Sequence, residues 1–259
     1  MKHSHTLFNQ SVQRAIAILE HLAAADGPQD LSTISRSLKM NKTTVFRFLS
    51  TLEEQRYVTK DENGKYTLGY KVTWLASKYL EKNEIRKVAH PFLCELSRQT
   101  GETVHLATLD IDAGKVIYID KVDGNSAVLM ASQIGGRMPI HSTALGKALF
   151  SYRSEEEWEE YVKKYGLTPR AENTITDPEV FFKELRKVRE QGYAIDNIEN
   201  ENGIRCVAAP IFNAAGVPVA ALSISGWIIT MTLERTLALV DPVKATADEI
   251  SARLGRIAL

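Results

Sequence analysis

The feature that most constrains this chain is a change of period near Gln55. Before it, apolar residues recur at three- and four-residue intervals in three short runs; just after it, two β-rich runs flank Asn63-Gly64. Val12, Ala15, Ile16, Leu19, Leu22 and Ala23 form the stripe of a helix over 11–25, which Asp26-Gly27-Pro28 ends. Asp30 caps a second, short helix with Leu31, Ile34 and Leu38 on one face. Asn41 caps a third whose core face is Val45, Phe46, Leu49 and Leu52. Only Lys39 and Met40 lie between these two, the length of turn that a helix-turn-helix uses. Runs 57–59 and 66–68 around Asn63-Gly64 predict a β-hairpin. Three helices followed by a hairpin make a winged helix-turn-helix.

At 259 residues the chain exceeds the roughly 100–200 typical of one domain, so a second domain follows. Residues 69–82 resume a helical stripe through Val72, Leu75, Ala76, Tyr79 and Leu80, with no Gly or Pro after Gly69. The predicted organisation is a winged domain over 1–68, a linker helix over 69–82 and a second domain over 83–259. In the second domain the periodicity predicts helices over 90–100, 143–150, 155–165, 177–191 and 233–256. It predicts strands over 104–110, 116–122, 128–133, 207–212 and 217–225. Strands joined partly by hairpins and partly by helices imply an α+β fold on a largely antiparallel sheet.

Composition removes whole classes of function. With 44% apolar and 25% charged residues, the chain is excluded from collagen-like, mucin-like and long disordered classes. The N-terminus lacks an apolar signal core and no later run is long enough to cross a bilayer, so no membrane role and a cytoplasmic location are expected. Cys94 and Cys206, far apart in sequence, argue against a disulfide framework or a zinc ribbon and suit a reducing compartment. His3 and His5 sit in what reads as a tail with no role, and no metal is expected. No P-loop, dinucleotide fingerprint or nucleophile elbow occurs, so no cofactor is expected either.

Lysine plus arginine and aspartate plus glutamate cancel at 32 each, which excludes a globally basic nucleic-acid binder. The sum hides a local patch: residues 31–60 carry Arg36, Lys39, Lys42, Arg47, Arg56 and Lys60 against Glu53 and Glu54. On the third helix, Lys42, Thr43, Thr44 and Arg47 crowd the first turn and outer face behind the Asn41 cap, where a recognition helix meets base edges. Hydroxyls and helix-start N–H groups suit phosphates, and the arginine fork suits guanine. Lys65 at the hairpin tip adds a cation for the DNA backbone or minor groove. The predicted partner is double-stranded DNA.

Four segments carry a family resemblance: SVQRAIAIL at 11–19, LSTIS at 31–35, KTTVFRFLSTL at 42–52 and YTLG at 66–69. Two more lie in the second domain, GGRMPIHSTALGK at 135–147 and GYAIDNIENENGIRCVAAP at 192–210, followed by ALSISG at 221–226. Together they resemble the IclR family of bacterial transcriptional regulators over the whole length. The resemblance implies a GAF-like effector domain binding a small metabolite, and a homodimer formed through the DNA-binding domains, often paired again as a dimer of dimers. A dimer of readers matches a palindromic operator. The family's pocket would fall on the 135–144 loop, with Gly135, Met138, Ser142, Thr143 and Ala144, and on the strands carrying Cys206, Ser223 and Ser225, with Asp196 at the rim. Trp227 after Gly226, and the lack of Arg in 228–232, depart from the family's usual wording.

The residues themselves add to this. Ser223 and Ser225, two apart, put both hydroxyls on one face of a strand, and a helix start near Ala144 favours an anion. The predicted guest is a carboxylate or keto acid, a small organic or sugar acid. The third-helix text resembles the branch that controls sugar-acid catabolism, in which one member answers to 2-keto-3-deoxygluconate. The reading is a ligand-responsive repressor of a catabolic operon, with no catalytic residues. The alternative is a cysteine-dependent hydrolase domain, with Cys206 as nucleophile, His141 as base and Asp196 as orienter.

Overall fold

The computed structural model describes residues 9–125 and 130–256 and divides into two units, Met1–Lys82 and Asn83–Leu259. In the first unit, α1 (Gln10–Ala24), α2 (Leu31–Ser37) and α3 (Lys42–Glu54) precede the hairpin β1 (Val58–Lys60) and β2 (Tyr66–Leu68), and α4 (Tyr70–Lys82) follows. Each of the first three helices opens on a side-chain cap: Asn9, Asp30 and Asn41 accept backbone N–H groups of their own first turns. The turn between α2 and α3 passes through Lys39 in the left-handed region, at φ 51°. At the hairpin tip Gly64 adopts φ 76°, while the Asp61 carboxylate accepts the N–H groups of Asn63 and Lys65. The wing and the helix-turn-helix share one small core of Ile18, Leu22, Ile34, Val45, Leu49, Val58 and Tyr66.

One expected core residue points the other way. Phe46 lies 49% exposed, and Phe48 packs against the core instead. At 100° per residue the inward stripe that includes Val45 and Leu49 is completed by Phe48 and Leu52, and Phe46 falls on the flank.

The second unit is built on a six-stranded sheet ordered β5-β4-β3-β8-β7-β6, every neighbouring pair antiparallel. Its strands are β3 (Thr103–Asp110), β4 (Lys115–Val122), β5 (Arg137–Pro139), β6 (Ala194–Asn197), β7 (Ile204–Phe212) and β8 (Pro218–Trp227). The hairpins β3-β4 and β7-β8 meet at the centre, where Val104 pairs with Ile224 and His105 with Ser223. Helices cover both faces. On one side, α5 (Glu84–Thr100) and α10 (Val240–Arg253) bury Leu93, Val243 and Ile250 against Val104, Leu106, Val207 and Ile224. On the other, α6 (Ala144–Phe150) and α8 (Pro178–Gln191) lay Leu145, Ala148 and Val188 over Ala107, Tyr118, Ala208 and Ala221. A satellite core joins α7 (Glu155–Tyr165) to α8 through Trp158, Tyr161, Phe181 and Leu185.

Several boundaries differ from those predicted. The helix expected at 90–100 begins six residues earlier, because the Asn83 side chain caps it at the Arg86 N–H, and Pro91 is carried inside. The closing helix is two: α9 (Leu233–Ala238) stops at Leu239. Pro242 has no N–H with which to continue the ladder back to residue 238. Of the strand expected at 128–133, residues 128 and 129 lie outside the described residues, and 130–133 join no sheet. The edge strands β5 and β6 were not predicted; they are three and four residues long, too short for an alternating pattern.

Candidate functional site

In the first unit, the Asn41 side chain accepts the Thr43 N–H at 2.9 Å, so the first turn of α3 is fixed from outside the core. Lys42, Thr43 and Arg47 are exposed and Thr44 is half-buried. Lys65 is exposed at the wing tip. Among the described residues neither Lys42, Arg47 nor Lys65 forms an ion pair, so all three cations remain available for phosphates. Arg47 lies along a surface groove with Arg14, Thr44, Phe46 and Thr51. Phe46, misassigned to the core by pattern, lines that outer face.

In the second unit a cavity of about 410 Å³ opens between the sheet and α6. Met138, Thr143, Ala144, Asp196, Cys206, Ser223 and Ser225 line it; Gly135 and Ser142 do not. Gly135 is exposed at φ 85° and donates its N–H to the Tyr118 carbonyl at 2.7 Å, which ties the loop to β4. Ser142 works from behind the wall: its Oγ donates to Asn200 Oδ1 at 3.1 Å, and Arg170 Nε donates to the same oxygen at 3.0 Å. The Asn200 carbonyl is thereby engaged, and this side chain does line the cavity.

Why the lining is polar follows from strand alternation. Asp196 pairs with Cys206, Cys206 with Ser225 and Ser223 with His105, so four adjacent strands deliver these side chains to one face. Above them Thr143 caps α6 by accepting the Gly146 N–H at 3.1 Å, and donates its hydroxyl to the Pro139 carbonyl at 2.8 Å. Gly146 is required there, because a Cβ would stand 2.2 Å from the Ile140 carbonyl oxygen.

The electrostatics are set by burial. Asp196 is enclosed, and loss of solvent, then the nearby Glu199 charge, push its carboxyl up to about 7. Its Oδ1 accepts the N–H groups of Glu199 at 2.7 Å and Asn200 at 3.3 Å, across a turn in which Ile198 adopts φ 61°. A β-branched residue in that region is strained, so the turn is held by its surroundings. Part of the hold is Lys147, fully buried, whose Nζ contacts both Glu199 oxygens and the Ile195 carbonyl at 2.6 Å. Burial, then Lys121, lowers His105 to about 3, so its ring is neutral; Nε2 lies 2.7 Å from Ser132 Oγ and Nδ1 3.4 Å from Ser225 Oγ. Burial and the Asp196 charge raise the Cys206 thiol well above its usual range. No Lys or Arg is in the described lining.

Residues 11–62 match the IclR helix-turn-helix domain, and residues 77–252 match the bacterial transcriptional regulator IclR C-terminal domain. The chain belongs to the IclR family. It is 39% identical over 217 residues to the HTH-type transcriptional regulator XynR of Escherichia coli, covering 83% of this chain and 85% of that one. It is 37% identical over 246 residues to KdgR of the same organism, covering 95% and 92%. The crystal structure of the Thermotoga maritima IclR superposes with a TM-score of 0.80 at 38% identity, over 95% of this chain and 98% of that one. The relatives are transcriptional regulators, and the IclR architecture accounts for both units: a helix-turn-helix domain and an α+β domain with a curled antiparallel sheet.

The hydrolase arrangement does not assemble in this IclR chain. Asp196 and Cys206 are strand neighbours, but His141 does not line the cavity. Its ring nitrogens face the Tyr161 hydroxyl at 3.1 Å and the Thr168 carbonyl at 3.0 Å, within the satellite core. Sequence reasoning missed His105, Tyr118, Asn200 and Glu201 in the lining. A signal existed for His105: Val104-His105-Leu106 puts one polar residue between two apolar ones on a central strand. For Asn200 and Glu201, in an irregular turn, no periodicity could have served.

Proposed function

We propose that this IclR-family chain is a ligand-responsive, sequence-specific repressor of a catabolic operon, and that its effector is a small organic or sugar acid held between the sheet and α6. The observation that carries the effector half is the polar lining of an otherwise apolar interior. Hydroxyls of Ser223, Ser225 and Tyr118, the neutral His105 ring and the carboxyl of Asp196 surround one cavity. With its carboxyl near 7, Asp196 is half protonated at neutral pH and donates a hydrogen bond to an incoming carboxylate or keto oxygen. Acid binding therefore takes up a proton, and affinity falls as pH rises above 7.

The DNA half rests on the capped first turn of α3 with its unpaired cations. Asn41, Lys42, Thr43, Thr44 and Arg47 are assigned to the major groove and its phosphates, and Lys65 to the backbone beside it. A homodimer on a palindromic operator is supported by α4, which buries no residue and leaves Tyr70, Trp74, Leu75 and Tyr79 exposed along with Val12 and Ile16 of α1. Apolar surface of that extent suits a second copy, and a dimer of dimers is the larger assembly. No helix among the described residues is long and apolar enough to cross a membrane, in keeping with a cytoplasmic regulator.

The test is fluorescence anisotropy with an inverted-repeat operator selected from genomic fragments. Arg47→Ala is expected to weaken binding by about 1–3 kcal/mol and relax sequence preference, and Lys65→Ala to weaken all sequences evenly. A cognate acid is expected to shift operator affinity by about 5–150-fold. Equal binding by wild type and Arg47→Ala would remove the groove assignment.

A further inference from the structure

The covering helix on the apolar side of the sheet carries a second constellation of reactive groups, remote in role from the cavity. Cys94 and His90 are one turn apart on α5, and Cys94 Sγ lies 3.6 Å from His90 Nε2. His90 Nδ1 lies 2.7 Å from Oδ2 of Asp120 on β4, a carboxyl only 1% exposed. The other oxygen, Oδ1, receives Arg86 Nη2 at 3.3 Å and the Lys121 N–H at 3.0 Å. The carboxylate is thus fixed by two donors and leaves Oδ2 to the histidine. A carboxylate there holds the Nδ1 proton, which turns the lone pair of Nε2 toward the thiol. Nucleophile, base and orienter stand in hydrogen-bonding sequence, the order that activates a cysteine. Unlike Cys206, Cys94 is exposed, and the His90 side chain is 46% exposed, so a reagent reaches both. Along α5, Glu95 and Arg98 beyond Cys94 are paired with each other, while Lys87 stands one turn before His90.

We propose that Cys94, with His90 as its base and Asp120 as the positioning residue, is a site of reversible modification by low-molecular-weight disulfides. The Sγ proton passes to His90 Nε2, and the thiolate attacks one sulfur of the reagent. The reagent's S–S bond breaks as a Cys94 mixed disulfide forms. The departing thiolate takes the proton from the imidazolium and leaves as a thiol. Cys94 is oxidised, half of the reagent is reduced, and excess thiol runs the exchange backward. The imidazolium formed on the way is stabilised by Asp120. The site is independent of the effector reading, since it shares no residue with the cavity.

The full-length protein treated with hydroxyethyl disulfide at pH 7, a neutral probe that removes charge steering, tests this by intact mass and peptide mapping. The adduct is expected on Cys94, to be reversed by excess thiol, and to form about tenfold faster in wild type than in His90→Gln. Asp120→Asn is expected to slow it as well; should that buried substitution fail to fold, the exposed His90→Gln decides alone. Equal Cys94 rates in wild type and His90→Gln, or an adduct that forms first on Cys206, would overturn the proposal.

Discussion

The two faces of the second unit's sheet are made from the same strands and both are covered by helices, yet only one of them carries a polar cavity beside its apolar packing. Toward α5 and α10 the strands present Val104, Leu106, Val207, Leu222 and Ile224. Toward α6 the next residues along the same strands present His105, Cys206, Ser223, Ser225 and, on β6, Asp196. The first face gains stability by removing apolar area from water. The second buries groups that cost free energy unless they are hydrogen-bonded. A strand that alternates apolar and polar residues ordinarily turns its polar side to solvent. Here the polar side is roofed by a helix and lines a cavity, and the proposed effector site rests on that difference.

If that division holds, damage to the two faces differs in kind. Leu106→Ala, at a fully buried position of the apolar face, is expected to cost about 2–5 kcal/mol in denaturant unfolding while leaving effector affinity near that of wild type. Next in size is a pair of opposite pH effects on the polar face, each up to about 4 kcal/mol across its window. Asp196 keeps its proton in the folded state up to about 7, whereas the unfolded carboxyl releases it near 3.8. Its stabilising contribution is present below about 4 and lost as pH rises toward 7. His105 stays neutral in the folded state down to about 3, while the unfolded ring takes a proton near 6.5, so its contribution is lost as pH falls through that window. In wild type the two slopes oppose each other. Relative to wild type, Asp196→Asn is expected to gain melting temperature as pH rises from 4 to 7, and His105→Gln to gain it as pH falls from 6.5 to 3. Parallel melting curves would show that neither group titrates as its burial dictates. The smallest expected effect on stability is Ser223→Ala, within about 1 kcal/mol, accompanied by weaker effector binding in a titration.

Much of this is legible in the sequence. The caps at Asp30 and Asn41 and the Asn63-Gly64 turn are local chemistry, and they place the recognition helix and wing within a residue or two. Ser223 and Ser225 share a face because strand geometry leaves no other choice. What escaped was whatever depends on partners distant in sequence. Phe46 points outward because Phe48 fills the core, a choice between two phenylalanines that composition does not make. His105 joins the cavity through pairing with Ser223, more than a hundred residues on, and Ser142 acts through Asn200. His141, proposed as a base from its type alone, belongs to a different core. The Cys94, His90 and Asp120 cluster needed the packing of α5 on β4 to be visible.

Calorimetric titration of the full-length protein with the acid that most raises its melting temperature decides whether the roofed polar face is the effector site. The account predicts that Ser225→Ala and Asp196→Ala each weaken that acid about tenfold or more while Leu106→Ala does not. Affinity unchanged in both polar-face variants would place the ligand elsewhere and leave the buried polar face without its function.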